Sequence, residues 1–108
     1  MKKTKLGEFE ELVLLTVLAL KEEAYGVAIK HELEERLQQR LSVGSVQSAL
    51  KRMEEKEYLQ SEWGEAAKVR GGKRKRIYQA TAEGRQVLEE MKSIRASLWT
   101  TILQTQNG

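Results

Sequence analysis

The chain has 108 residues, enough for one domain with a modest core and too few for a large active-site cleft. With 40% hydrophobic and 32% charged residues, its composition excludes a disordered chain and is typical of a soluble globular protein. Cysteine is absent, which excludes disulfides and thiolate metal sites, and the net charge is only +3.

The richest apolar run extends from Leu12 to Leu20, nine residues against the roughly 20 that a membrane-spanning helix needs. The lysines near the amino terminus are followed by glutamates, an order that does not match a secretory signal peptide. We therefore expect a cytoplasmic protein.

Two helices are predicted in the first forty residues. The segment Glu8 to Leu20 begins with acidic residues, which favour a helix amino terminus, and then becomes apolar on almost every side. Continuous apolar runs also occur in buried strands, but this length and the leucine and glutamate content favour a buried helix. The segment Gly26 to Arg40 has apolar residues four positions apart and predicts an amphipathic helix. Its Gly26 either lets another backbone approach closely or simply starts the helix.

A third helix is predicted from Ser45 to Lys56, with Ser42 or Ser45 as its cap. Its apolar residues follow the i, i+3, i+4, i+7 spacing of a single buried stripe. The other side carries hydrogen-bond donors that can reach phosphates and base edges. The candidate DNA contacts on this helix are Ser45, Gln47, Ser48, Lys51 and Arg52.

Two short alternating segments, Tyr58 to Trp63 and Arg76 to Ala80, predict a β-hairpin with a long loop. The run Lys68 to Arg76 holds six of the 19 basic residues and no acidic one, leaving 13 basic against 16 acidic residues elsewhere. A basic loop alone is usually a solvated surface, but three helices followed by a hairpin favour a nucleic-acid contact. The candidate contacts in this run are Lys68, Arg70, Lys73, Arg74, Lys75 and Arg76.

The segment Ala82 to Gln104 predicts a final helix capped by Thr81, with a frayed tail from Gln104 onwards. Gly84 stands where a capping box has Glu or Gln, so the predicted start is weak. A helix of this length, about 35 Å, exceeds what such a small domain covers, and its apolar stripe predicts a second copy as partner. The candidate dimer-interface residues are Leu88, Met91, Ile94, Leu98, Trp99 and Ile102.

The side chains of Met91 and Trp99 fit two interpretations. They either pack within the dimer interface or line a cavity there that binds a flat aromatic effector. Catalysis is poorly supported, because the single histidine, His31, lies among glutamates and the chain has no aspartate or cysteine. We therefore predict no enzymatic activity, no catalytic residues, no cofactor and no metal.

Several stretches together resemble the PadR transcriptional regulators, specifically the short members with one carboxy-terminal helix. These stretches are LGEFEELVLLTVL (6–18), AYGVAI (24–29), SVGSV (42–46), LKRMEEKEYL (50–59) and RGGKRKRIYQATAEG (70–84). The resemblance implies a winged-helix dimer that binds operator DNA as a repressor, with the last helix and parts of the first forming the dimer. It also implies that small phenolic or planar hydrophobic effectors release some members from DNA.

Two positions depart from the family pattern. Gln47 stands where the family commonly has a tyrosine, so a tyrosine contact does not carry over, whereas glutamine can still read adenine through two hydrogen bonds. Glu57 stands where a glycine usually ends that helix, so the turn into the hairpin lacks the residue best suited to left-handed backbone.

The predicted fold is mainly α with a small β-hairpin. A winged helix-turn-helix DNA-binding domain is expected over residues 1–80, and a dimerisation helix with a frayed tail over residues 81–108. The predicted function is a homodimeric, sequence-specific repressor of transcription on a pseudo-palindromic operator, with double-stranded DNA, a second copy and a small aromatic or planar hydrophobic effector as partners. The alternatives are a dimeric protein-interaction module without DNA binding and a small-molecule-binding module.

Overall fold

The computed structural model describes residues 6–64 and 74–107 of the chain. Three helices come first, then a hairpin, then a long helix, which confirms the predicted winged helix-turn-helix order. The elements are α1 (Glu8–Leu20), a 3-10 helix (Lys21–Glu23), α2 (Gly26–Leu37), α3 (Val43–Glu55), β1 (Leu59–Trp63), β2 (Arg76–Ala80) and α4 (Ala82–Asn107).

Helix α1 is the centre of the fold, and it contacts α2, α3, β2 and α4. Its Val13, Leu14 and Val17 are almost fully buried, as expected for a helix that is apolar on nearly every side. The remaining helices each contribute one apolar stripe. The largest buried side chains from α2 and α3 are Ile29, Leu33, Val46, Leu50 and Met53.

The turn between α2 and α3 differs from the prediction at both ends. Helix α2 ends at Leu37, three residues early, because Gln38 has a left-handed φ of 56°. Glu34 holds the turn, since its Oε2 accepts a hydrogen bond of 2.8 Å from the Leu41 N–H, which lowers the pKa of the carboxyl. Helix α3 starts at Val43, and Ser42 is the cap, because its Oγ accepts a 3.0 Å hydrogen bond from the Ser45 N–H.

The hairpin β1–β2, called the wing below, is antiparallel and pairs Leu59 with Ala80 at one end and Trp63 with Arg76 at the other. The turn that leads into β1 passes through Glu57 with a φ of 65°. This residue therefore adopts the left-handed backbone although it is not a glycine. Strand β2 is also attached to the start of α2. The Tyr78 N–H donates to the Ala24 carbonyl at 2.8 Å, next to a bridge between Tyr25 and Ile77.

Helix α4 begins as predicted, since the Oγ1 of Thr81 accepts a 3.0 Å hydrogen bond from the Gly84 N–H. It continues to Asn107, three residues beyond the predicted end at Gln104, and fraying of the tail stays a prediction. Its 26 residues are about 39 Å long. The first turns bury Val87 and Leu88, whereas every side chain over residues 92–106 is exposed. The second half of α4 therefore extends away from the core.

Candidate functional site

The predicted contacts on α3 lie on its exposed side, opposite the buried stripe. The side chains of Gln47, Ser48 and Lys51 are exposed and face away from the core. Ser45 is also exposed, but its Oγ donates a hydrogen bond of 3.0 Å to the Ser42 carbonyl and so takes part in the helix cap. The outward side of α3 therefore presents amide, hydroxyl and ammonium donors close to the amino-terminal end of the helix.

Arg52, the last predicted contact on α3, is tied to α1. Its Nε donates to the Glu10 Oε2 at 2.7 Å, and the Lys56 Nζ lies 3.0 Å from the Glu10 Oε1. The Glu10 carboxylate, only 7% exposed, also accepts the Gly7 N–H at 2.9 Å. Burial alone would raise the pKa of Glu10, but the hydrogen bonds from Arg52, Gly7 and Lys56 outweigh it and lower the pKa to about 2. Arg52 is half exposed, and its ion pair with Glu10 holds α3 on α1.

The dipeptide Tyr25–Gly26, at the start of α2, lies between α3 and the wing. On one side, Lys75 of the wing lies over the Tyr25 ring, with Nζ 4.1 Å from the ring centre. On the other side, a Cβ built on Gly26 would lie 2.7 Å from the Gln47 Nε2. We call this dipeptide with its neighbours Gln47 and Lys75 the Tyr25–Gly26 junction. The junction places a polar side chain of α3 and a cation of the wing next to the same two residues.

Arg76 connects the wing to α3 by a chain of hydrogen bonds. Its Nε donates to the Ser61 Oγ at 2.8 Å, and the Ser61 hydroxyl donates to the Glu54 Oε2 at 2.5 Å. The Arg76 guanidinium also lies 5.3 Å from the centre of the Trp63 ring. These contacts hold an exposed cation at a fixed position beside helix α3.

The remaining predicted wing contacts fall into two groups. Arg74 is exposed, and its Nε donates to the Gly64 carbonyl at 2.9 Å across the hairpin. Lys68, Arg70 and Lys73 lie outside the described residues. The role of all these residues as DNA contacts stays a prediction.

Four of the six predicted dimer-interface residues form an exposed apolar face on the second half of α4. Their exposed fractions are 60% for Ile94, 58% for Leu98, 61% for Trp99 and 42% for Ile102. The other two lie nearer the core, since Leu88 is buried and Met91 packs against the core cluster. The apolar face available to a partner therefore begins after Met91, later along the helix than the sequence pattern indicated.

A groove of about 490 Å³ runs between α1 and the first half of α4. Apolar side chains, including Leu15 and Leu88, line its floor, and the ion pair between Glu11 and Arg95 lies at its edge. Neither Met91 nor Trp99 is among the lining residues. The proposed effector site at these two positions stays a prediction.

A metal centre is not supported by the part of the chain that the structure describes. No group of three or more potential His, Cys, Asp or Glu ligands occurs within residues 6–64 and 74–107. His31 is exposed on α2. None of the helices within residues 6–64 and 74–107 combines the length and the hydrophobicity that a membrane-spanning segment requires.

Two groups that organise the site leave no signal in the sequence. Glu10 is recognisable there only as an acid that favours the start of a helix, because its partners Arg52 and Lys56 are more than 40 positions away. Tyr25 carries no functional signal, since its contact with Lys75 depends on β2 pairing beside it. Such long-range partners produce no local periodicity that a single sequence could show.

The sequence model of the PadR-like transcriptional regulator family matches residues 14–90 of this chain. Among solved structures, a PadR-like regulator from Bacillus cereus has 25% identity and a TM-score of 0.70, with 93% of this chain and 92% of that one aligned. A PadR family regulator from Eggerthella lenta has 26% identity and a TM-score of 0.66, covering 92% and 86%. A PadR-like factor from Bacteroides fragilis, with 24% identity and a TM-score of 0.70 over 90% and 88%, supports the fold alone. No curated protein sequence gave a significant match.

Proposed function

The chain belongs to the PadR-like family of transcriptional regulators, and from that premise we propose that it is a homodimeric repressor that binds a specific DNA sequence. In this proposal residues 1–80 carry the DNA contacts and residues 81–108 carry the dimer contact. The proposal assigns DNA reading to α3, phosphate contacts to the wing, and dimerisation to the second half of α4.

The observation that carries the proposal is the Tyr25–Gly26 junction. It brings Gln47 of α3 and Lys75 of the wing next to one dipeptide, so the group suited to reading bases and a group suited to binding phosphate face DNA together. Glutamine can bind adenine through two hydrogen bonds in the major groove. Ser48 and Lys51 extend the same side of α3 and supply further contacts to base edges and phosphates.

The wing supplies phosphate or minor-groove contacts beside the major groove occupied by α3. Arg74, Lys75 and Arg76 are exposed, and each is held by a neighbour within the wing or at the junction. Cations that are already ordered lose less conformational entropy on binding than unrestrained side chains do. The same run continues in the sequence through Lys68, Arg70 and Lys73.

A second copy of the chain is the proposed partner of α4. Large apolar side chains such as Leu98 and Trp99 are about 60% exposed in the single chain, and they form one side of a helix that extends beyond the core. Contiguous exposed apolar surfaces of this kind mark interaction sites. A two-fold dimer would place two copies of α3 on half-sites about one helical turn, or about 34 Å, apart.

The test is a footprint of the purified full-length protein on the DNA upstream of its own coding sequence, with random-sequence DNA as competitor. The proposal predicts two protected half-sites related by a dyad, about 34 Å apart. A folded protein that neither retards this DNA nor protects it at moderate salt would support the interaction-module alternative instead.

A further inference from the structure

Gly26 is the first residue of α2, and its backbone does not explain why a glycine stands there. Its φ lies outside the left-handed range that side chains avoid, so other residues could adopt the same conformation. The space around position 26 is what distinguishes it. A Cβ at this position would lie 2.7 Å from the Gln47 Nε2, closer than non-bonded heavy atoms approach a real Cβ. The amide group of Gln47 thus occupies the space that a larger residue at position 26 would fill.

Gln47 belongs to α3 and is exposed, and its Nε2 lies in the space that a side chain at position 26 would occupy. An unrestrained glutamine side chain samples many rotamers, and reading adenine requires both its N–H and its C=O at fixed positions. With glycine at position 26, the start of α2 leaves room for the amide on this side of α3. The neighbouring Tyr25 is itself held by its bridge to Ile77 on β2, so the surface against which the amide rests is anchored to the wing.

We infer that Gly26 is a specificity-determining residue that acts through Gln47. By admitting the Gln47 amide against the start of α2, it orients that amide for base reading without touching DNA itself. This inference rests on the proposed function. A methyl group at position 26 would push the amide away, and the fold would tolerate the change because the displaced group is the far end of a flexible, exposed side chain.

The test compares Gly26→Ala with Gly44→Ala. Both glycines lie in the first turn of a helix with no left-handed φ, but a Cβ at Gly44 meets nothing within 4 Å. Affinities for the footprinted operator and for random DNA are measured by fluorescence anisotropy at one salt concentration. Gly26→Ala is expected to lower the ratio of operator to random affinity by roughly tenfold, with random-DNA affinity unchanged. Gly44→Ala is expected to keep the ratio.

Two further arms separate orientation of Gln47 from other causes. The double variant Gly26→Ala/Gln47→Ala is expected to match Gln47→Ala alone, because the methyl group has nothing left to displace. The second arm is an NMR spectrum of the protein without DNA. The side-chain amide resonance of Gln47 is assigned by its loss in Gln47→Ala. This resonance should shift in Gly26→Ala and stay in place in Gly44→Ala.

An unchanged specificity ratio in Gly26→Ala would overturn the inference, as would losses that add in the double variant or an equal loss in Gly44→Ala. Failure of the proposed function would give a different result, because the unsubstituted protein would then bind its upstream DNA no more tightly than random DNA. In that case the amide resonance would still report whether Gly26 orients Gln47, but a role in specificity would be excluded.

Discussion

The Nζ of Lys75 lies 4.1 Å from the centre of the Tyr25 ring, so a cation of the wing is held by an aromatic residue at the start of α2. The Tyr25 ring thereby limits the positions that the Lys75 ammonium group can take. The bridge between Tyr25 and Ile77 keeps the ring beside β2. The relation joins two segments that are fifty positions apart in the chain and that no local pattern of residues connects.

Replacement of Tyr25 by alanine is expected to weaken binding to all DNA sequences by about two- to fivefold, because about 0.5–1 kcal/mol of cation–π attraction no longer orders Lys75. Fluorescence anisotropy at constant salt measures the effect. The matched control is Tyr25→Phe, which keeps the aromatic face and should retain most of the affinity. Equal affinities of the alanine variant and the unsubstituted protein would show that the ring does not prepare Lys75 for DNA.

The pKa of Glu10 predicts a specific loss of stability in acid. This pKa is about 2 in the folded protein and near 4.5 for an ordinary glutamate, so the unfolded chain binds the proton more tightly. The carboxylate therefore contributes its full stabilisation, about 3 kcal/mol, above the unfolded pKa, and loses it as the pH falls from about 5 to about 2.

Urea unfolding as a function of pH measures this contribution. Glu10→Gln should destabilise the protein at pH 7 and flatten the decline in acid, because the ion pairs of the buried Glu10 carboxylate with Arg52 and Lys56 are gone. The control is Glu89→Gln, which removes an ion pair with Arg85 whose two side chains are both about two-thirds exposed and should cost at most about 1 kcal/mol. Similar acid profiles for Glu10→Gln and the unsubstituted protein would contradict the assignment.

Gly84→Ala is expected to destabilise the fold by more than about 2 kcal/mol, because backbone must move to make room. An added Cβ would lie 2.2 Å from the carbonyl oxygen of Tyr58, which also accepts a hydrogen bond from the Thr81 N–H. Thermal unfolding followed by circular dichroism provides the measurement. Gly44→Ala, with open space around its added Cβ, should leave the melting temperature unchanged or raise it slightly. Equal melting temperatures of the two variants would show that the Tyr58 carbonyl poses no steric obstacle.

Gly84 also shows where sequence reasoning reached its limit. The sequence identified Thr81 as the cap of α4 and indicated that Gly84 weakens a capping box, and the cap is present. It could not show that a larger residue is excluded there, since the obstacle is the Tyr58 carbonyl of a turn 26 positions earlier. Local periodicity and capping patterns thus predicted the element order. Close approaches between elements depend on three-dimensional packing, which these patterns do not contain.

The same distinction applies to the candidate site. The exposed side of α3 followed from the spacing of its buried residues, because helical geometry decides which residues share a side. The partners of Arg52 and Lys75 did not follow, because they depend on how α1, α2 and the wing pack. The late start of the exposed apolar face on α4 was missed for a related reason. Periodicity shows that Leu88 is apolar but not whether the core of its own chain buries it.

Leu98→Glu is expected to convert the proposed dimer into a monomer, because it places a charge in the middle of the exposed apolar face of α4. Folding should be unaffected, since Leu98 is 58% exposed in the single chain. Sedimentation equilibrium gives the mass directly. Thr100→Glu, on the opposite side of the helix, is the control and should remain dimeric. An unsubstituted protein that sediments as a monomer at micromolar concentration would contradict the proposed interface.

The basic run of the wing is the proposed source of most of the affinity for DNA, and the salt dependence of binding tests this role most directly. The affinity of the protein for its own upstream DNA is measured over a range of salt concentrations. The variant with alanine at Lys73, Arg74, Lys75 and Arg76 is compared with Arg40→Ala, which removes an exposed cation just beyond the end of α2. In the wing variant, the slope of log affinity against log salt should become shallower by about 0.9 for each phosphate that is no longer neutralised, whereas Arg40→Ala should keep the original slope. The same slope in all three proteins would contradict the assignment of the wing to DNA.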